Sequence, residues 1–221
     1  MQKKYLIAMT LLTLVLALTA QATTGYRPGD QSLMLVPTAY TMPAGSHAIT
    51  NYEVIVIQYA YAFPTNTHVS IMSAMPVWSD FVKTITLGVK QRYFVKGIVQ
   101  SSAFASFNPD IPGFMLGNVV SIGQPSQSLH LGLMYGWADG EGMNNPLFFL
   151  GGRKDVGAKI ALMAEFGSTI GSTNADVNSL ISFGVRFISS SISWDLGGVR
   201  PVGEDMGDLY FVPVLKATFE F

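Results

Sequence analysis

The feature that most constrains this chain is a repeat of two. Ile181, Phe183, Val185 and Phe187 alternate with Ser182, Gly184 and Arg186, and Ile192, Trp194 and Leu196 alternate with Ser191, Ser193 and Asp195. Leu129, Leu131, Leu133, Tyr135 and Trp137 alternate with His130, Gly132, Met134 and Gly136. Ile160, Leu162, Ala164 and Phe166 stand against Lys159, Ala161, Met163 and Glu165, as Ile85, Leu87 and Val89 stand against Thr84, Thr86, Gly88, Lys90 and Arg92. Successive side chains of a strand point to opposite faces. Each window therefore has one apolar face and one face that is small, polar or charged.

Alternation fits a soluble sandwich, whose apolar faces meet in a core, as well as a barrel whose apolar face meets lipid. Composition separates the two. Only 12% of the 221 residues are charged and the mean hydropathy is +0.35, where soluble domains carry roughly 25% charge. No stretch after residue 22 approaches the ~18 unbroken apolar residues of a spanning helix. The alternating windows run about 9 to 12 residues, long enough to cross a bilayer when tilted, against about 5 or 6 in soluble sheets. Aromatic residues (Tyr93, Phe94, Tyr135, Trp137, Phe148, Phe149, Tyr210, Phe211) sit near the window ends, where interfacial girdles lie. The pattern predicts an all-β chain: a transmembrane antiparallel up-and-down β-barrel.

Lys3 and Lys4, the apolar Tyr5–Leu18 stretch and Ala20-Gln21-Ala22 make the three parts of a secretory signal peptide. Residues 1–22 are expected to be removed and 23–221 to form one barrel domain, with no repeat or low-complexity linker dividing it. Connections support the count. Read backward from Phe221, they alternate long and short: Gly198–Asp208, Ser189–Ser190, Ser168–Asn178, Lys154–Val156, Ala138–Pro146, Gln124–Gln127, Asn108–Gly113, Val95–Gly97, Pro76–Asp80 and Pro64–Asn66. That is the rhythm of periplasmic turns and extracellular loops, and it gives about eleven strands from His47 onward. Both termini are periplasmic only if the number is even. Gln31–Val36 is therefore expected as the first strand, for about 12 in all, with ten as the alternative should that segment lie as a plug.

Two resemblances follow. The chain ends Leu215-Lys216-Ala217-Thr218-Phe219-Glu220-Phe221; Phe219 and Phe221 in this pattern resemble the signal that hands bacterial outer-membrane barrels to their assembly machinery. Pro37-Thr38-Ala39-Tyr40-Thr41-Met42-Pro43-Ala44-Gly45, followed by Asn51-Tyr52-Glu53, resembles the start of uncharacterised porin-like outer-membrane β-barrel proteins of Gram-negative bacteria. The resemblance implies location and fold, with outer-membrane lipid, lipopolysaccharide and the assembly machinery as partners. It implies no activity.

Chemical motifs are sparse. Without cysteine there is no disulfide, thiolate nucleophile or Cys-ligated zinc, and a net charge of −1 without basic runs argues against nucleic acid. His47, His68 and His130 are not at metal-ligand spacing, so no metal or other cofactor is expected. Ser128 and His130 share a strand face, the minimum for an activated hydroxyl in a lipid-modifying enzyme. No G-x-S-x-G elbow is present, and Gly167–Gly171 carries Thr at its centre. Acids in two connections (Asp139 and Glu141; Glu204, Asp205 and Asp208) read as solvated loop tips.

The remaining constellation is the charge on non-apolar faces: Lys90, Arg92, Lys159, Glu165, Arg186 and Asp195. A lipid-facing Lys or Arg costs about 2–4 kcal/mol at the bilayer midplane, so these six are expected in the lumen. There they either pair and close it or line a water-filled constriction. The expectation is a small porin-like channel passing small polar solutes by diffusion, with no covalent step. The alternatives are a lipid-modifying barrel enzyme or a structural, adhesive barrel.

Overall fold

The computed structural model describes residues 25–75, 81–110, 113–138, 141–142, 145–170, 179–202 and 210–221. The expected leader and most of the acidic loop tips lie outside the described residues.

In chain order the strands are β1 (His47–Tyr52), β2 (Val56–Phe63), β3 (Thr67–Ala74), β4 (Thr86–Lys96), β5 (Val99–Asn108), β6 (Gly113–Gln124), β7 (Gln127–Ala138), β8 (Glu141–Gly142), β9 (Leu147–Gly157), β10 (Ile160–Thr169), β11 (Ser179–Ile188), β12 (Ile192–Pro201) and β13 (Val212–Glu220). β8 is a two-residue ribbon on the end of β7, which pairs onward with β9. The other 12 strands pair antiparallel in chain order, and β1 joins β13 to close the barrel. Closure leaves no sheet edge running the length of the barrel.

The barrel is inverted relative to a soluble protein. Leu129, Leu131, Leu133, Leu162, Phe183, Phe187, Trp194 and Leu196 are exposed on the outer face, while the alternating Ser128, His130, Gly132, Arg186, Ser193 and Asp195 are buried. Phe183 is 52% exposed and Arg186 0%. The interior is filled by the chain's own segment Gly25–Ser46, whose Leu33, Met34, Ala39, Tyr40 and Met42 are buried.

That filling corrects the position of the first strand. Gln31–Val36 is not in the wall; it lies in the lumen and makes only a single bridge, Ser32 to Pro37. The wall still has an even number of strands because the stretch from His47 to Phe63 is a hairpin rather than one long strand. Its turn, Glu53–Ile55, contains no glycine or proline. Glu53 and Val54 take φ of 54° and 64°, a region that costs L-residues about 1–2 kcal/mol each. Asn51 Oδ1 accepts the Val54 N–H at 3.0 Å, so an Asn three residues ahead supplies what turn residues usually supply.

The hairpin is short, and this leaves a step in the rim. β1 ends at Tyr52 opposite Lys216, whereas β13 runs on to Val212 paired with β12 alone. The bare edge is blunted chemically. Leu215 donates its N–H to Glu53 Oε1 at 2.6 Å and accepts from the Glu53 N–H at 2.9 Å. Two residues along, in the same orientation, stands Pro213, which has no N–H to leave unpaired.

Glycine relieves the strain at position 54 while bringing its own entropic cost. Val54→Gly is therefore expected to stabilise the barrel by about 0.5–1 kcal/mol, read as a higher urea midpoint for protein folded in lipid vesicles. A lower midpoint would mean that the turn carries no such strain.

Candidate functional site

The Gly25–Ser46 segment has one β-bridge and a few turn hydrogen bonds of its own, so its other buried N–H and C=O groups need partners from the wall. Charged wall residues supply them. Glu165 on β10 accepts the N–H groups of Leu35 and Val36 at 3.0 and 3.1 Å and is itself held by the Ser182 hydroxyl. Arg186 on β11 donates to the carbonyls of Gly29 and Ser32 at 2.8 and 2.9 Å. Its remaining N–H groups grip Asp195 on β12 at 2.6 and 2.8 Å. Lys216 on β13 bonds the Leu33 carbonyl and the Ser32 hydroxyl and pairs with Asp195 at 2.9 Å. Lys90 on β4 reaches the carbonyls of Gln31 and Thr38, each at 2.8 Å. Ser121 accepts from the Ala39 N–H and Ser102 donates to the Ala39 carbonyl, both at 2.7 Å.

The segment adds charge of its own. Asp30, fully buried, pairs with Arg153 on β9 and lies 3.6 Å from Arg186. Arg27 pairs with Asp155, and the Tyr26 hydroxyl donates to Glu220 at 2.8 Å. Apolar knobs complete the fit. Met34 occupies a recess made by Gly184 and Gly197, which face each other across β11 and β12; a Cβ at either would collide with its thioether. Leu33 sits over Gly151 in the same way, and Ala39 packs with Val119 and Phe149. The segment is a stopper that packs against the wall along much of its length.

Of the residues read from sequence, Lys90, Glu165, Arg186 and Asp195 meet around this stopper. Arg92 is buried nearer the short-turn end, bonded to Gln100 at 3.0 Å and Asn66 at 2.6 Å. Lys159 lies elsewhere: it is exposed in the turn between β9 and β10, where the register shifts at Ile160/Ala161. Phe219 and Phe221 are exposed at the short-turn end, and Phe221 closes the β1–β13 seam through paired backbone bonds with His47 and a stacked ring at 5.4 Å. Sequence reasoning missed Asp30, Arg153 and Lys216. Lys216 had a signal, since it alternates with Leu215 and Ala217; Asp30 had none.

Ser128 Oγ and His130 Nε2 do approach to 2.9 Å. The other imidazole nitrogen meets Ser121 Oγ at 2.6 Å rather than a carboxylate, and Tyr40 of the stopper stands edge-on over the ring at 5.6 Å. In this state the pair braces the stopper and is sealed beneath it.

Between Leu35–Pro37 of the stopper and the wall, towards the long connections, lies a cavity of about 440 Å³. Met72, Phe104, Met115, Met134, Phe149 and Phe166 give it an apolar lining, and His68, Ser70 and Ser106 add polar points.

No family model matches the chain, and no curated protein does. Among solved structures, one described as "Unveiling the Mechanism Behind the in-meso Crystallization of Membrane Proteins" aligns with a TM-score of 0.55 at 9% identity, over 81% of this chain and 83% of that one. This likeness shows the barrel fold alone. A triple mutant of the Rh. blastica porin aligns at TM-score 0.44 and 11% identity over 75% of this chain, which spans 55% of that porin's length. The NanC porin aligns at 0.45 and 9% identity, over 79% of this chain and 97% of that one.

The glycine recess gives a direct test of how the stopper is held. The protein has no cysteine, so an Ala39→Cys reporter is expected to be shielded from a water-soluble maleimide. Adding Gly184→Leu overfills the Met34 recess at a cost of about 1–3 kcal/mol, which should raise the labelling rate roughly tenfold. Unchanged labelling would show that the recess does not retain the stopper.

Proposed function

We propose that this chain is a porin-type outer-membrane β-barrel that rests closed on its own N-terminal segment and passes small solutes when that stopper moves. The observation that carries the reading is the division of labour between the two faces of the wall. An all-round belt of exposed Leu, Ile, Val and aromatic side chains is far larger than a soluble monomer leaves in water. Strands of 9 to 12 residues, apart from β1–β3 and the two-residue β8, suit a bilayer. The inner face directs its charges at the backbone of the stopper.

The short-turn end, where His47 and Phe221 meet, is assigned to the periplasm, and the long connections to the exterior. Once the stopper withdraws, Lys90, Glu165, Arg186 and Asp195 face water and set the charge preference of the opening. No covalent step is involved.

Single-channel recording tests this reading. Wild-type protein in a planar bilayer is expected to stay silent for most of the record. Protein lacking Gly25–Ser46, or carrying Gly184→Leu, is expected to give discrete steps. A wild-type protein with long-lived open steps would exclude a closed resting state; silence from every folded variant would exclude a channel. The last strand is proposed to present Phe219 and Phe221 to the assembly machinery, so deleting Phe221 should lower the amount of folded protein in the outer membrane severalfold, measured by heat-modifiable migration of membrane fractions.

A further inference from the structure

We infer that the outer wall carries a phospholipid site: a groove over Gly152 and Ala164 that seats an acyl chain, with Lys154 holding the phosphate of an anionic headgroup. The inference rests on the membrane-spanning reading of the barrel, and on neither the stopper nor conduction. Outward positions of β6, β7, β9 and β10 bring Ile122, Leu129, Gly152 and Ala164 into one row, each paired with the next. Bulk is missing from the middle of that row. Gly152 offers only backbone and Ala164 a methyl, while Leu129 and Leu162 stand up beside them, 60% and 48% exposed. The result is a groove of about 560 Å³ on the outer face, which Lys154 also lines. In register, Lys154 stands between Gln127 and Leu162.

Depth and charge both point to a lipid headgroup at that end. Lys154 lies near the short-turn end of β9, and the next outward row towards those turns, from Ile160, holds Phe187 and Trp194. Aromatics of this kind mark the membrane–water interface, which a lysine one row away reaches by snorkelling. The charge there is one-sided. Among the described residues, the exposed charged side chains at the short-turn end are Lys96, Lys154 and Lys159. The acids of that end point inward: Asp155 pairs with Arg27 and Arg153, and Glu220 accepts from Tyr26 and Gly29. Among the described residues, no exposed carboxylate side chain is therefore placed there to hold the ammonium group of a zwitterionic lipid, whereas lysine attracts an anionic headgroup. With the short turns at the periplasm, the occupant comes from the phospholipid leaflet rather than from lipopolysaccharide. Acyl chains gain little by leaving other chains, so the groove contributes fit and the lysine contributes the preference.

The test is native mass spectrometry of the full protein, released from detergent after incubation with an equimolar mixture of phosphatidylglycerol and phosphatidylcholine bearing identical acyl chains. Retained phosphatidylglycerol is expected to exceed phosphatidylcholine roughly fivefold, the preference that one lysine near a membrane surface confers. Lys154→Gln should bring the ratio close to one. Lys96→Gln, on β4 and outside the groove, should leave it unchanged. Gly152→Leu fills the groove from the lipid side and should lower retention of both lipids severalfold; Ala164→Leu, paired with it, is the second filling variant should the first not fold. Equal retention of the two lipids, or a ratio that Lys154→Gln leaves unchanged, overturns the proposal. So does an equal loss with Lys96→Gln, the mark of diffuse attraction, or full retention by the filled variants. A barrel that migrates as folded yet selects no lipid overturns this site alone, whereas a protein that stays folded and dispersed in water without detergent overturns the membrane reading.

Discussion

A buried stretch of irregular backbone is the constraint on which the rest of this structure depends. Helices and sheets satisfy their own peptide groups, whereas Gly25–Ser46 makes one β-bridge and a few turn hydrogen bonds within itself, and much of it is buried. Each unsatisfied N–H or C=O would cost about 1–3 kcal/mol. The inward charges of the wall answer that demand. Glu165 is an acceptor fork for two N–H groups; Arg186, Lys216 and Lys90 are donor clusters for carbonyls. Asp195 then offsets the positive charge that Arg186 and Lys216 bring to one place. The network works as a set, because removing one member of a buried pair leaves the other uncompensated at a cost of about 3–5 kcal/mol.

The same arrangement explains why the wall alternates so strictly. The outer position at each step is apolar and exposed, as contact with lipid would require. The inner position is charged or hydroxylated where it meets stopper backbone, and glycine where it lies against the Leu33 and Met34 side chains. Gly184 and Gly197 make room for Met34, and Gly151 for Leu33. The small residues that alternate with apolar ones in the sequence are, at these positions, the negative imprint of the stopper.

Much of the wall was legible because it obeys a local rule. A period of two names the faces of β7, β10, β11 and β12 without any knowledge of partners, and the rhythm of connections names their order. The failures are all non-local or unpunctuated. The turn at Glu53–Ile55 has no Gly or Pro and a β-branched residue at positive φ, so nothing in the sequence interrupts the strand pattern there. Gln31–Val36 has the composition of a short strand; only the three-dimensional fact that the barrel closes without it places it inside. Lys159 keeps the correct parity for the lumen, but one register shift beside it turns it out of the strand. Inward charge could be read from sequence, whereas its target could not, since Asp30, Gly29 and Leu33 carry no mark of being what those charges hold.

Magnitudes indicate which contacts retain the stopper. The wall–stopper hydrogen bonds are numerous, yet each is worth only about 0.5–1.5 kcal/mol net, because water would replace it in a wetted lumen. Leu33, Met34, Tyr40 and Met42 are buried to within a few per cent of completely, and each such side chain contributes about 1.5–3 kcal/mol by leaving water. Water cannot replace that term. The polar network therefore fixes the register and satisfies the buried backbone, while the apolar knobs, Leu33 and Met34 in glycine recesses among them, supply the part of the free energy that survives hydration. If the stopper moves as proposed, opening must act on those knobs rather than on the polar network.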